Sequence, residues 1–258
     1  MLALGVFWSG FAKDMVCLPR PLSPPLQRIT MSGSAALEYG FPSTHSTNAV
    51  SVAAYFLYYL HTGGIEVPKA FETIAYFLGT FYAVSIIVGR MYCGMHGFFD
   101  VIIGTALGLL MTAVQIAYGP AFDAWIASGT WVHPAIAAVL IILAVRFHPE
   151  PADNCPCFDD SVAFAGVLIG IESGHWHFAG STFASSIPVL ATVPFDLNSL
   201  GWPRTALRIV LGVVVIFLWR ATMKTLLLRV LPPMFRQIEQ SGFSLPRRFF
   251  TNARSAQS

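Results

Sequence analysis

Charged residues are scarce in this sequence, and this scarcity excludes several classes of protein. They make up 11% of the 258 residues, whereas an average soluble domain contains roughly 25%. The formal net charge of +2 is too small to predict nucleic-acid binding. The four cysteines, Cys17, Cys93, Cys155 and Cys157, lack zinc-finger spacing, and the last two stand too close for a disulfide without strain. These absences exclude an ordinary soluble domain, a nucleic-acid-binding module and a zinc finger.

Long hydrophobic runs are what the sequence has in abundance. Hydrophobic residues make up 55% of it, and the mean hydropathy is +0.63. Five runs approach the roughly 20 residues that a helix needs to cross a bilayer: 46–60, 70–88, 101–118, 131–147 and 205–219. A sixth, 161–172, is short. A further run, 183–195, contains two prolines and is a doubtful span. Because most connecting loops are short, we predict an all-α fold, a polytopic integral membrane helical bundle with about six to eight transmembrane helices.

The two ends of the chain differ from this bundle. Residues 2–11 are apolar but amount to about half a crossing, so we expect the chain to begin inside a transmembrane helix and to lack an upstream part. The polar C-terminal end is basic, which suits anionic headgroups or leads into a further span. We therefore divide the chain into a core, residues 1–120, additional transmembrane helices, 121–222, and a basic polar tail, 223–258.

The first of three polar clusters is KDMVCLPRP, in which Lys13 and Arg20 stand seven residues apart. Pro19 and Pro21 predict that a helix ends near Leu18. The two long cationic side chains can then converge on one point. Alternatively, they are an ordinary juxtamembrane pair that reaches the headgroups.

The second cluster is PSTH, at the mouth of the first full apolar run. Pro42 stops any preceding helix, and Ser43 is suited to cap the helix that follows. The unpaired N–H groups and partial positive charge of a helix N-terminus suit a phosphate. His45 adds a proton donor. The alternative is a simple helix cap beside an interfacial histidine.

The third cluster is GRMYCGMHGFFD, which contains Arg90, His96 and Asp100. His96 and Asp100 stand four residues apart, one helical turn, so the carboxylate can hold the imidazole with its other nitrogen pointing outward. That is the orienting half of a nucleophilic triad. The alternative is a structural hydrogen bond.

The three clusters are predicted to lie on one side of the membrane, because the chain crosses once and returns between the second and the third. Lys13, Arg20 and Arg90 would then converge at an interface where acids are few: Asp14, Glu38 and Asp100. Charges at membrane depth are costly without partners. An anionic ligand would be the missing partner, and a phosphate matches both the cations and the helix N-terminus.

The three motifs resemble those of the type 2 phosphatidic acid phosphatase superfamily, written KxxxxxxRP, PSGH and SRxxxxxHxxxD. They occur in the family's order within residues 13–100. Thr44 replaces the Gly of PSGH, as in the subgroup that hydrolyses sphingoid long-chain base phosphates, and Gly89 replaces the Ser before Arg90. The whole chain is similar to the sphingosine-1-phosphate and dihydrosphingosine-1-phosphate phosphatases.

The resemblance implies a role for each polar residue of the motifs. His96 would be the nucleophile that forms a phosphohistidine, Asp100 would orient it, and His45 would be the general acid and base. Phosphate binding would fall to Lys13, Arg20, Ser43, Thr44 and Arg90. Because the protein itself supplies three cations, we expect no metal and no other cofactor.

The resemblance also implies an enzyme, a lipid phosphate phosphomonoesterase of sphingolipid metabolism. Its partners would be a sphingosine or dihydrosphingosine 1-phosphate and membrane lipids, with the oligomeric state left open. It would be an integral membrane protein of the endoplasmic reticulum whose active site faces the lumen. Two alternatives stay open: a phosphatase for phosphatidate or an isoprenyl diphosphate, and a non-catalytic lipid-binding or transport protein on the same scaffold.

Overall fold

Helices make up the regular structure of this protein. The computed structural model describes residues 1–30, 33, 37–64, 67–152, 155–181 and 197–242, and no residue in those ranges forms a strand. The helices are α1 (Leu2–Val16), α2 (Thr44–His61), α3 (Lys69–Tyr92), α4 (Phe98–Ser128), α5 (Val132–Arg146), α6 (Cys157–Ala179), α7 (Leu197–Leu200) and α8 (Trp202–Gln240). The predicted all-α fold is confirmed.

The apolar runs of the sequence coincide with helices, on α2 to α6 and on α8. Within the described ranges, α3, α4 and Trp202–Ile238 of α8 are long and apolar enough to cross a membrane, and α5 is apolar but shorter. The doubtful run 183–195 and residues 243–258 of the predicted tail lie outside the described residues. The three long apolar helices support the prediction of a polytopic membrane protein.

The chain forms two compact units, Met1–Ala191 and Thr192–Ser258. In the first unit, α2 packs on α4, α3 and α1, while α6 packs on α1, α5 and α4. α3 buries no residue. In the second unit, the apolar side chains of α8 are exposed. Apolar side chains on the outside of a helix suit contact with lipid.

The contact between α2 and α4 depends on glycine. A Cβ atom at Gly104 would lie 2.6 Å from the carbonyl oxygen of Ser43, and one at Gly108 would lie 2.5 Å from the carbonyl oxygen of Thr47. Side chains at these two positions would force the backbones apart, whereas glycine lets them approach. The close packing sets the N-terminus of α2 directly against α4.

Candidate active site

The two cations of the first motif converge at the end of α1. Lys13 lies in the last turn of α1 and Arg20 in the loop that follows, and only 4% and 6% of their surfaces are exposed. The helix ends at Val16, close to the predicted end, with Cys17 in the left-handed conformation at φ 55°. Two buried cations so near each other require negative charge nearby.

That negative charge comes from Glu38. Arg20 Nη2 lies 2.5 Å from Glu38 Oε2, and Lys13 Nζ lies 3.9 Å from the same oxygen. Arg20 Nε also donates to the main-chain carbonyl of Glu38 at 3.2 Å. Nothing in the motif pattern marks Glu38, so from the sequence it is only one of the few acids near the cations.

His96 lies between α3 and α4 and is 4% exposed. Each of its ring nitrogens has a hydrogen-bond partner. Its Nδ1 is 2.8 Å from the carbonyl oxygen of Gly40, which can only accept, so Nδ1 carries the proton. Nε2 therefore keeps its lone pair and accepts from Arg20 Nη1 at 3.2 Å. Burial, followed by the charges of Arg20 and Lys13, holds the pKa of His96 below its ordinary value. The imidazole is thus neutral, with a nucleophilic nitrogen facing the cations.

Asp100 is not the nearest partner of His96. Its Oδ2 lies 3.7 Å from His96 Nδ1, which is within ion-pair range but too long for a hydrogen bond. The same oxygen accepts from the Gly97 N–H at 2.8 Å at the start of α4. In the structure, the carbonyl of Gly40 makes the orienting hydrogen bond that the sequence assigned to Asp100. A backbone acceptor leaves no mark in a motif, so sequence reasoning missed it.

The PSTH motif forms the N-terminus of α2, as predicted. Ser43 is fully buried and caps the helix, its side chain accepting from the Ser46 N–H at 3.3 Å. Ser46 Oγ also donates to Ser43 Oγ at 2.9 Å, which leaves the hydrogen of the Ser43 hydroxyl for another acceptor. The Ser43 N–H donates to the carbonyl of Asp100 at 3.0 Å. This last bond joins the second motif to the third.

Thr44 and His45, the next two residues of the motif, differ from each other in their surroundings. The buried Ser9 of α1 donates to Thr44 Oγ1 at 2.9 Å, so the residue that replaces the family's Gly ties α2 to α1. His45, in the first turn of α2, is exposed. An exposed imidazole beside a helix N-terminus can meet both a substrate oxygen and water.

Arg90 completes the set of cations from the last turn of α3. Its Nε is buried and has no hydrogen-bond partner within the described part of the chain. Its charge is among those that lower the pKa of His96. A buried N–H without a partner is costly, and an oxygen of a bound anion would satisfy it.

One group of described residues could offer ligand atoms to a metal ion: Asp14, Cys155 and Cys157, whose ligand atoms lie within 4.8 Å of one another. The structure pairs the two cysteines as a disulfide, with Cα atoms 5.4 Å apart, a usual separation for a bridge. The sequence allowed this bridge only with strain, and the structure forms it. Thiolates are needed to bind a metal, so this group lacks two ligands while the disulfide is intact.

Comparison with known proteins agrees with the family resemblance of the motifs. Residues 1–123 match the family model of the PAP2 superfamily. Residues 1–123 belong to the PAP2 superfamily. This PAP2 segment runs from α1 into α4 and contains every site residue predicted from the sequence.

Several similar proteins carry the names of sphingoid phosphate phosphatases. The chain is 41% identical over 246 residues to a dihydrosphingosine 1-phosphate phosphatase of Schizosaccharomyces pombe, covering 93% of this chain and 57% of that protein. It is 37% identical over 177 residues to one of Saccharomyces cerevisiae, covering 68% and 43%. It is 27% identical over 239 residues to sphingosine-1-phosphate phosphatase 2 of Homo sapiens, covering 89% and 57%. The chain spans about half the length of the curated relatives it matches. No solved structure matches it.

Proposed function

We propose that this protein is a metal-independent phosphomonoesterase that removes phosphate from sphingoid long-chain base 1-phosphates through a phosphohistidine. The observation that carries the proposal is the environment of His96, whose unprotonated Nε2 faces buried cations. A neutral imidazole beside positive charge is suited to attack an anionic phosphorus centre. The names of the relatives support the sphingoid substrate class.

In the first step, the lone pair of His96 Nε2 attacks phosphorus in line, the P–N bond forms and the bond to the lipid oxygen breaks. Protonated His45 donates its proton to the departing alkoxide. Nδ1 of His96 keeps its proton on the Gly40 carbonyl, 2.8 Å away, while the carboxylate of Asp100 at 3.7 Å offsets the new positive charge of the ring. The lipid alcohol then leaves.

In the second step, His45 is neutral and takes a proton from water. The water oxygen attacks phosphorus, the P–N bond breaks, and inorganic phosphate and neutral His96 are regenerated. The remaining motif residues would hold the phosphoryl oxygens in both steps: Lys13, Arg20, Ser43, Thr44 and Arg90. Their charges and donors are in place before the reaction, which stabilises the charge that develops in the transition state.

The membrane setting suits a single-chain amphiphile. Its tail can stay in lipid while its phosphate reaches the site at the ends of α1, α2 and α3. We place the protein in the endoplasmic reticulum with this site facing the lumen, and we expect no metal and no other cofactor. The predicted site residues would contact the phosphate and not the tail, so phosphatidate or an isoprenyl diphosphate is the rival substrate class.

The test is phosphate release from dihydrosphingosine 1-phosphate, phosphatidate and an isoprenyl diphosphate in detergent with EDTA. The unmodified chain should prefer the sphingoid substrate and be labelled covalently by its phosphate, whereas His96→Ala should abolish both turnover and label. His61→Ala, an exposed histidine at the other end of α2, is the matched control and should be unaffected.

Each departure from this result has a distinct meaning. Turnover that persists in His96→Ala would remove His96 as the nucleophile. Activity lost in EDTA and restored by magnesium would overturn metal independence. A preference for phosphatidate or the diphosphate would change the substrate class, and no release from any substrate would favour the non-catalytic alternative.

A further inference from the structure

The carboxylate of Glu38 occupies the place where two of the proposed phosphate-binding cations meet. One oxygen, Oε2, contacts both Arg20 Nη2 at 2.5 Å and Lys13 Nζ at 3.9 Å. An oxygen of a bound phosphate would have the same two partners, of which Arg20 is at hydrogen-bond distance and Lys13 is within ion-pair range. Both cations are nearly fully buried, so the number of anionic oxygens that can reach them together is small.

The side chain of Glu38 is less buried than those of the cations it neutralises. Its side chain is 29% exposed, whereas those of Lys13 and Arg20 are 5% and 3% exposed. The carboxylate therefore has a route to solvent and the cations do not. Arg20 also remains attached to the main-chain carbonyl of Glu38 at 3.2 Å, so the side chain can leave while the loop stays anchored.

We infer that Glu38 is an internal competitor for the phosphate site, which an incoming phosphate must displace from Lys13 and Arg20. The inference rests on the proposed function. A phosphomonoester with two negative charges gains roughly twice the Coulomb attraction to Lys13 and Arg20 that one carboxylate gains, so it displaces Glu38. A phosphodiester with one negative charge gains nothing over the carboxylate already present. Glu38 thus weakens the binding of every phosphate that must displace it, by a factor common to monoesters and diesters.

Glu38→Gln removes the negative charge of residue 38 and leaves the size of its side chain unchanged. Glutamine has the same size, its carbonyl oxygen still accepts from Arg20, and the main-chain bond is unchanged. The control is Glu150→Gln, which removes one exposed carboxylate from the loop after α5. Glu38→Ala, which removes the side chain altogether, is a second variant whose affinities should move in the same direction.

The experiment measures KM and kcat for dihydrosphingosine 1-phosphate, and the inhibition constant of its phosphate methyl ester, a diester with a single charge. Removing the carboxylate should lower KM by at least about fivefold, since one unit charge at contact distance has an effect of that size even in water. It should lower the inhibition constant of the methyl ester by a similar factor, because both ligands must displace the same carboxylate. Glu150→Gln should change neither constant.

A third measurement does not depend on turnover. Binding of ³²P-labelled inorganic phosphate by equilibrium dialysis should also tighten in Glu38→Gln. If no protein releases phosphate but the variant binds it more tightly, the proposed function falls and the inference stands. If the unmodified chain is active and the variants bind substrate, methyl ester and phosphate equally well or more weakly, Glu38 is a structural or substrate-binding residue and the inference is overturned.

Discussion

The α3–α4 loop and the N-terminus of α2 each carry one of the two proposed catalytic histidines, and they hold it in opposite ways. His96 in the loop is buried, and both of its ring nitrogens have partners, at 2.8 Å and 3.2 Å. His45 on α2 is exposed. A nucleophile must be aligned before the substrate arrives, whereas a general acid and base must reach a lipid oxygen in one step and water in the next. The difference in burial matches the difference in proposed role.

His45→Ala is the variant that tests the exposed side of this comparison. We expect kcat to fall by about 10²-fold to 10⁴-fold, because neither the leaving alkoxide nor the attacking water would have a proton partner. Phosphate release from dihydrosphingosine 1-phosphate measures the effect, and His133→Ala, a histidine outside the predicted motifs, is the control. A variant with unchanged kcat would leave His45 as an interfacial histidine beside a helix cap.

Asp100→Asn tests how the buried histidine is held. In a Ser-His-Asp triad the corresponding change costs about 10⁴-fold, because the imidazole takes the wrong tautomer. Here the carbonyl of Gly40 keeps the proton on Nδ1, so we expect a fall in kcat of only about tenfold, equivalent to roughly 1.4 kcal/mol of charge stabilisation. Asp123→Asn on the same helix is the control. A loss near 10⁴-fold would show that Asp100, and not Gly40, orients the ring.

Ser9→Ala tests the hydrogen bond between α1 and the N-terminus of α2 and should have the smallest effect. It removes the hydroxyl that donates to Thr44 Oγ1 at 2.9 Å and leaves the rest of α1 in place. The loss of one hydrogen bond should raise KM about threefold, with little change in kcat. Ser85→Ala, which removes an exposed hydroxyl from α3, is the control. If the two variants have the same KM, the link between α1 and α2 does not position the phosphate site.

Sequence reasoning anticipated the parts of the site that have a local signature. A proline followed by serine predicted the start of α2, and Ser43 caps that helix. Prolines predicted the end of α1 to within two residues. The partners of His96 could not be anticipated in the same way, because Gly40 lies 56 residues away in the chain and Arg20 lies 76 residues away.

The contacts of Glu38 could not be predicted from the sequence either. The sequence showed that acids are few near the motif cations, which suggested that a bound anion supplies the missing charge. The structure shows that one of those few acids already contacts both Lys13 and Arg20. A charge count does not reveal which acid reaches which base, since that depends on how the loop after α1 folds back.

The sequence by itself determined the membrane class, the helical fold and the set of polar residues available for chemistry, because composition, apolar run length and motif spacing are local properties of a chain. Only the tertiary structure decided which atoms meet. The close approach of α2 and α4 at Gly104 and Gly108 brings Ser43 against the start of α4, which follows the loop of His96. The return of the loop after α1 places Arg20, Glu38 and Gly40 around the same imidazole and cations. These contacts follow from the packing of whole helices, which no short stretch of sequence specifies.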